Sequence, residues 1–315
     1  MIDAAAITRA LPFDRLIEAL RERFAQGCEV PQRQILSIPV PGAQPLTTML
    51  MPAWIEGQFY GVKVINMTPD NAARGLPGLH ASYLLHDAVT GVPLCTMDGD
   101  TLTLRRTAAA SALAASYLAR QDARHLLVVG AGRVAALLPE AYLAVRNIEE
   151  VSVWARRPEQ AEHLARQWQA LGMRARAVTN LAAATAAADV VSCATLSDAP
   201  VVQGAWLREG THLDLIGSFT PQMREADDDC FANADIFVDT PEALKKSGDL
   251  IDPLSRGVFA AEDVRADLAA LCRGQHPGRQ NLHARTVFKS VGTALEDLAA
   301  AMLVWSELQA KQPAS

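Results

Sequence analysis

From His125 onward, short runs of apolar and β-branched residues alternate with stretches in which apolar positions recur every three to four residues. The runs HLLVVG, VSVWA, ARAV, DVVSCAT, THLDLIG and DIFVD predict six strands. The stretches between them predict amphipathic helices; PEQAEHLARQWQALG, for example, stops at a glycine as a helix C-terminus does. Strands alternating with helices predict a parallel sheet with crossover helices, an α/β doubly wound domain. Before His125 the rhythm changes. RQILSIPV, LTTMLMPAWI, FYGVKVINM and SYLLHD are strand-like pieces separated by Pro and Gly turns, TGVP among them, and predict a mostly antiparallel sheet. TAAASALAASYLARQ predicts an alanine-rich helix leading into the second domain. VFKSVGTALEDLAAAMLVWSELQAK reads as a further long helix that returns to the first domain, and RGQHPGRQNLHAR has the composition of a loop. The expected division is residues 1–122 with 285–315, and 123–284.

A chain of 315 residues suits two domains, and 50% hydrophobic with 20% charged residues is the balance of a folded globular protein. A net charge of −6 leaves no basic field for a polyphosphate backbone, so nucleic acid is excluded as a partner. The N-terminus has no basic region followed by an apolar run, and no stretch of about 18 uncharged apolar residues occurs. The expectation is a cytoplasmic protein with no membrane partner. Cys28, Cys95, Cys193, Cys230 and Cys272 are scattered and form no CxxC pair, and the seven histidines form no HExxH, so neither a disulfide framework nor a metal site is expected.

Candidate chemistry begins at Gly130-Ala131-Gly132-Arg133-Val134-Ala135, a G-x-G-x-x-A turn between the strand HLLVV and the helix expected after it. Gly130 permits the tight turn, Gly132 lets the backbone approach a pyrophosphate, and small Ala135 lets helix and strand pack closely. Amides at the helix start, including those of Arg133 and Val134, would receive the anion. The second domain is therefore expected to be a Rossmann-type NAD(P)-binding domain. About 20 residues beyond the glycines an NAD enzyme commonly offers Asp or Glu to the ribose 2′-hydroxyl; here Ala155 is followed by Arg156 and Arg157. A guanidinium suits a 2′-phosphate, so NADPH is the expected cofactor, with NAD possible. Thr195, ending DVVSCAT, is expected at a strand's carboxyl end, lining the cofactor site.

In the first domain, DGDTLTLRRTAAAS places Arg105 and Arg106 immediately before the expected helix start, where positive charge opposes the macrodipole and calls for an anion; Thr107 would cap or begin that helix. Lys63 sits in an otherwise apolar strand, and Arg33 in VPQRQILSIPV. A lone lysine in an alternating strand is usually its exposed residue, and spacing alone does not bring the three cations together.

PQRQ, MPAW, GVKVIN, TGVPL, LRRTAAASALAASYLA, VVGAGRVA, SCAT, GTHLDLIGSFTPQMREADD and VFKSVG together resemble the ornithine cyclodeaminase and mu-crystallin family. The resemblance spans Pro31 to Gly292. It implies a homodimer formed mainly through the first domain, which becomes a substrate-binding and dimerisation domain, with the active site in the cleft between domains. It implies that Arg33, Lys63 and Arg106 hold the carboxylate of a small amino or imino acid, with Thr107 beside them. Cyclodeaminase members carry an aspartate that activates the substrate where this chain has Phe219, within Gly217-Ser218-Phe219-Thr220-Pro221. Phenylalanine exchanges no proton, and the segment looks like that of the cyclic ketimine reductases acting on 1-pyrroline-2-carboxylate and 1-piperideine-2-carboxylate. The implied chemistry is hydride delivery to C2, giving L-proline or L-pipecolate, with Lys63 or a water as proton donor. Glu225 matches an acidic position of the family, though a run such as Glu225 to Asp229 more often marks a solvated helix face; Ser290 and Gly292 are expected to pack the cleft. Ornithine cyclodeaminase, an alanine-type dehydrogenase and a non-catalytic NADPH-binding protein are the competing readings, and ring size and pathway stay open.

Overall fold

The computed structural model describes residues 1–310. Met1–Arg106 and the chain from Thr293 onward form one compact unit, and Thr107–Gly292 a second. Residues 107–122 and 285–292, which the sequence groups with the first domain, count here with the second.

The first unit opens with α1 (Ala4–Ala10) and α2 (Phe13–Gln26), followed by β1 (Gln34–Ile38), β2 (Leu46–Ile55), β3 (Phe59–Met67), β4 (Leu79–Asp87) and β5 (Pro93–Asp98). The strands pair antiparallel in chain order. The C-terminal helix, Ala294–Gln309, packs on α2 and against β2, β3 and β4. One row across the sheet runs Met51, Lys63, Tyr83, Met97, each directly opposite the next, and all four are buried. In β3 the buried positions are Gly61, Lys63 and Ile65, so Lys63 belongs to the core face rather than the exposed face that a lone strand lysine usually takes.

Helix α3 (Gly99–Leu118) starts eight residues ahead of the expected TAAAS segment. Its first turn is capped by Asp98, whose Oδ1 accepts from the Thr101 amide at 2.7 Å. This corrects the expectation for Arg105, Arg106 and Thr107. They lie in the helix interior, so Thr107 is not an N-cap and no helix N-terminal amides stand beside Arg106.

The second unit contains an eight-stranded parallel sheet. Its elements are β6 (His125–Val129), α4 (Leu138–Leu143), β7 (Glu150–Trp154), α5 (Pro158–Ala170), β8 (Ala175–Ala177), α6 (Leu181–Ala187), β9 (Val190–Cys193), β10 (His212–Leu215), β11 (Ala234–Val238), α7 (Ala243–Lys246), α8 (Gly248–Ser255), β12 (Val264–Asp267), α9 (Leu268–Cys272) and β13 (Arg285–Lys289). The strand order is β12-β11-β13-β10-β9-β6-β7-β8. The six strands legible in the sequence are all present, and β12 and β13 join them. VFKSVG is therefore not the start of a helix. Val287, Phe288 and Lys289 close β13 between β10 and β11, where both faces are covered, and helix resumes only at Ala294.

The chain runs outward from β6 through β7 to β8, then returns to the other side of β6 with β9. The β6/β9 junction is thus the topological switch point, where open α/β sheets bind ligands beyond the strand carboxyl ends. Inside the sheet, Asp214 on β10 accepts from Ser192 at 2.6 Å, Tyr142 of α4 at 2.9 Å and Ser111 of α3 at 3.1 Å. Burial pushes its carboxyl up to about 6 despite those donors, and the network ties α3 and α4 to the strand. Among the described residues, no helix is long and apolar enough to cross a membrane.

Candidate active site

Two of the three expected substrate cations meet in the first unit. Lys63 Nζ lies 2.6 Å from Asp297 Oδ2, while Arg106 donates from Nε to Asp297 Oδ1 at 3.0 Å and from Nη1 to Glu296 Oε2 at 2.6 Å. All four side chains are buried. Glu296 and Asp297 stand in the first turn of the C-terminal helix, where negative charge complements the helix dipole, and Thr293 caps that turn. Arg106 Nη2 donates to no protein acceptor among the described residues, so that nitrogen still has N–H groups to offer.

The electrostatics of the four groups follow from their pairing. Burial pulls the Lys63 ammonium down to about 8, opposed by Asp297 and aided by neighbouring Arg106. Burial would raise Asp297, but Lys63 and Arg106 together outweigh it and hold the carboxyl below its ordinary value. Arg106 is likewise penalised by burial, yet Asp297 and Glu296 keep it cationic throughout the accessible pH range. Arg105 faces elsewhere, donating to the Leu11 carbonyl at 2.8 Å and stacking 4.2 Å over the Phe13 ring. Arg33, half-buried, precedes β1 by one residue. Continuing the Gln34↔Leu50 register places it opposite Met51, in the row that contains Lys63. Thr107 is half-buried in the third turn of α3, one turn beyond Thr103.

In the second unit the glycine turn follows β6 as expected. Gly130 has φ +117, and a Cβ there would sit 2.6 Å from the Ala194 carbonyl oxygen, so the first turn position is restricted to glycine by both conformation and space. A Cβ at Gly132 would meet nothing within 4 Å, leaving its backbone open to a ligand. Arg133 is exposed, Val134 half-buried and Ala135 buried. The turn passes first into a single 3₁₀ turn, Ala135–Leu137, and then into α4, so the helix expected after the glycines is present but short. Arg156 and Arg157 are exposed just past β7, with Arg157 at the N-cap position of α5. An open glycine backbone at the switch point fits a nicotinamide dinucleotide, with two exposed guanidiniums one strand away.

Thr195, after β9, is held by a residue whose environment the sequence concealed. Glu225 Oε1 accepts from the Thr195 amide at 2.6 Å and its hydroxyl at 2.8 Å, and Oε2 accepts from the Gly217 amide at 2.6 Å. Glu225 is fully buried in a loop, which corrects the reading of Glu225–Asp229 as a solvated helix face. Its own amide donates to Asp249 Oδ1 at 2.8 Å, and Asp249 Oδ2 lies 3.3 Å from Lys289 Nζ. Burial pushes the Glu225 carboxyl up to about 7; Lys289 opposes the rise and Asp249 adds to it. A buried carboxylate at this place becomes legible only through Asp249 and Lys289, which lie far along the chain. Phe219 is 46% exposed, so it is not a packed core aromatic, and it supplies no proton-exchanging group at its position. Ser290 is buried, and Val291 and Gly292 donate their amides to Asp239 Oδ2 at 2.7 Å each.

Known proteins resemble this chain over nearly its full length. Δ1-Pyrroline-2-carboxylate reductase of Paracoccus denitrificans is 46% identical over 293 residues, covering 92% of this chain and 91% of its own. The solved structure of Thermococcus litoralis Δ1-pyrroline-2-carboxylate reductase, in complex with NADH and L-proline, superposes with a TM-score of 0.91 at 34% identity, covering 98% of this chain and 97% of its own. An archaeal alanine dehydrogenase dimer with bound NAD gives a TM-score of 0.90 at 30% identity, covering 100% and 97%. Residues 3–312 match the profile of one family across both units, and with these relatives they show that the chain belongs to the ornithine cyclodeaminase/mu-crystallin family.

Proposed function

We propose that this protein is an NADPH-dependent reductase of a cyclic imino acid, converting 1-pyrroline-2-carboxylate or 1-piperideine-2-carboxylate to L-proline or L-pipecolate. The observation that carries the reading is the buried quartet Lys63, Arg106, Glu296 and Asp297, with Arg106 Nη2 unengaged. Arg106 and Lys63, joined by Arg33, hold the α-carboxylate and so fix the orientation of C2; Thr107 lines the same place. Lys63, whose ammonium is drawn down to about 8, can deliver a proton from Nζ to the imine nitrogen near neutral pH. Phe219 offers its ring to the apolar methylenes of the substrate. It offers no carboxylate for a deamination, and this favours simple reduction over cyclodeamination.

Gly130, Gly132, Arg133, Val134, Ala135 and Thr195 would hold the dinucleotide, with Arg156 and Arg157 on the 2′-phosphate. A nicotinamide dinucleotide supplies the hydride that reaches C2. The named relatives that carry NADH or L-proline support the nicotinamide and the small acid; the exposed arginine pair supports the preference for NADPH over NADH. A homodimer is supported by the dimeric relative and by the edge strand β1, which exposes Ile35, Leu36 and Ile38.

The test is NADPH oxidation followed at the nicotinamide absorbance with each cyclic imine, repeated with NADH. Turnover on at least one imine is expected; turnover on L-ornithine with ammonia release and no net NADPH loss would reverse the assignment. Exchanging Arg156 for Asp is expected to lower kcat/KM with NADPH by about tenfold or more while sparing NADH. An unchanged preference ratio would remove the arginine from the phosphate site.

A further inference from the structure

We propose that Glu225 is a positioning residue for the nicotinamide cofactor, acting in its ionised form as a buried staple between the loops that follow β9 and β10. The inference rests on the proposed reductase only for its choice of cofactor. Three short hydrogen bonds carry it: two from Thr195 and one from the Gly217 amide, all onto one fully buried carboxylate.

The staple is tight at both ends. A Cβ at Gly217 would fall 1.6 Å from the Thr195 carbonyl oxygen and 2.6 Å from Glu225 Oε1, so the two loops touch backbone to backbone. At the far side of Thr195, its Cγ2 lies 3.4 Å from where a Gly130 Cβ would stand, and the preceding Ala194 carbonyl is closer still. Whatever fixes Thr195 therefore fixes the wall of the glycine turn at the switch point. Glu225 is itself anchored through its amide to Asp249, and Asp249 Oδ2 faces Lys289 at the end of β13.

The charge state decides whether the staple holds. As a carboxylate, Glu225 accepts from all three donors; protonated, one oxygen becomes a donor and confronts an N–H or O–H. The charged and titratable groups around it are Lys289 from β13, Asp249 from α8, and Cys193 from β9, with Asp239 at the end of β11 and Asp214 of β10 also facing Lys289. Burial raises the Glu225 carboxyl, and one ammonium shared among four carboxyls does not offset it, so this carboxyl titrates near neutrality, at about 7.

The experiment is a fluorescence titration of NADPH, without imine, on wild type, Glu225→Gln and Thr195→Val from about pH 8 to about pH 6. Glutamine keeps the shape but turns one acceptor into a donor against a backbone N–H. Affinity of E225Q is expected to fall about tenfold at the alkaline end, and the gap to wild type is expected to close toward the acid end as wild type loses its own carboxylate. Taking the ratio of the two proteins removes the cofactor phosphate's own titration. T195V, which keeps the amide bond, should show a smaller loss with the same pH trend. A folded E225Q that binds like wild type, or a ratio independent of pH, overturns the proposal. If E225Q does not fold, T195V decides, and affinity equal to wild type at every pH overturns it. Because no imine is present, a wild type that fails to reduce any imine would sink the proposed reaction and leave this test standing.

Discussion

Both units bury a knot of ionisable side chains, and the two knots differ in their balance of cations and carboxyls. Around Asp297 two cations, Lys63 and Arg106, face two carboxylates. Around Lys289 one cation faces Asp249, Glu225, Asp239 and Asp214. Burial is nearly complete in both. Yet Asp297 is held below its ordinary value while Glu225 is pushed up to about 7. Burial alone therefore does not set the protonation state; the local balance of charge does. The balanced knot keeps a permanent cation, and the unbalanced one makes a carboxyl that changes state in the neutral range.

The harshest way to break the contrast is Arg106→Ala, which leaves one ammonium against two buried carboxylates and makes the first knot resemble the second. kcat/KM for the imine should fall about a thousandfold, with NADPH affinity held. Equal loss of cofactor binding would show that Arg106 serves something other than the substrate. Next in size is Asp297→Asn, which strips Lys63 and Arg106 of a shared partner. Denaturant unfolding should report a loss of about 3–5 kcal/mol, as for other broken buried pairs; a change below about 1 kcal/mol would mean that the pairing adds little.

The smallest expected effect is on the pH profile. If Lys63 gives the proton, it must be charged, so activity in wild type should decline as pH rises through about 8. Asp297 is what holds that value up against burial, so in D297N the decline should begin about one pH unit lower. A decline at the same pH in both proteins would assign it to another group.

Strands whose side chains obey a simple period were legible from the sequence, and so was the glycine turn with its arginines. What escaped was decided by distant partners. The α3 start was misplaced because DGDTLTL carries Thr and Leu in strand-like mixture, whereas one Asp98 side chain fixes the cap. Strand β13 escaped because Lys289 in its apolar run looks like a surface charge until Asp249 faces it. Glu225 escaped for the same reason within EADDD, where its neighbours Asp228 and Asp229 do remain accessible. Lys63 and Arg106 were nameable through resemblance, but their carboxylate partners on the C-terminal helix were not.

Gly217 and Phe219 stand two residues apart under opposite constraints. The first admits no side chain at all, and the second holds a ring that is 46% exposed. A side chain at 219 can thus be exchanged without disturbing the backbone beside it, because Gly217 is fixed by steric exclusion. Directed evolution toward a different substrate should begin there, and libraries that randomise 217 should return almost only the parent residue.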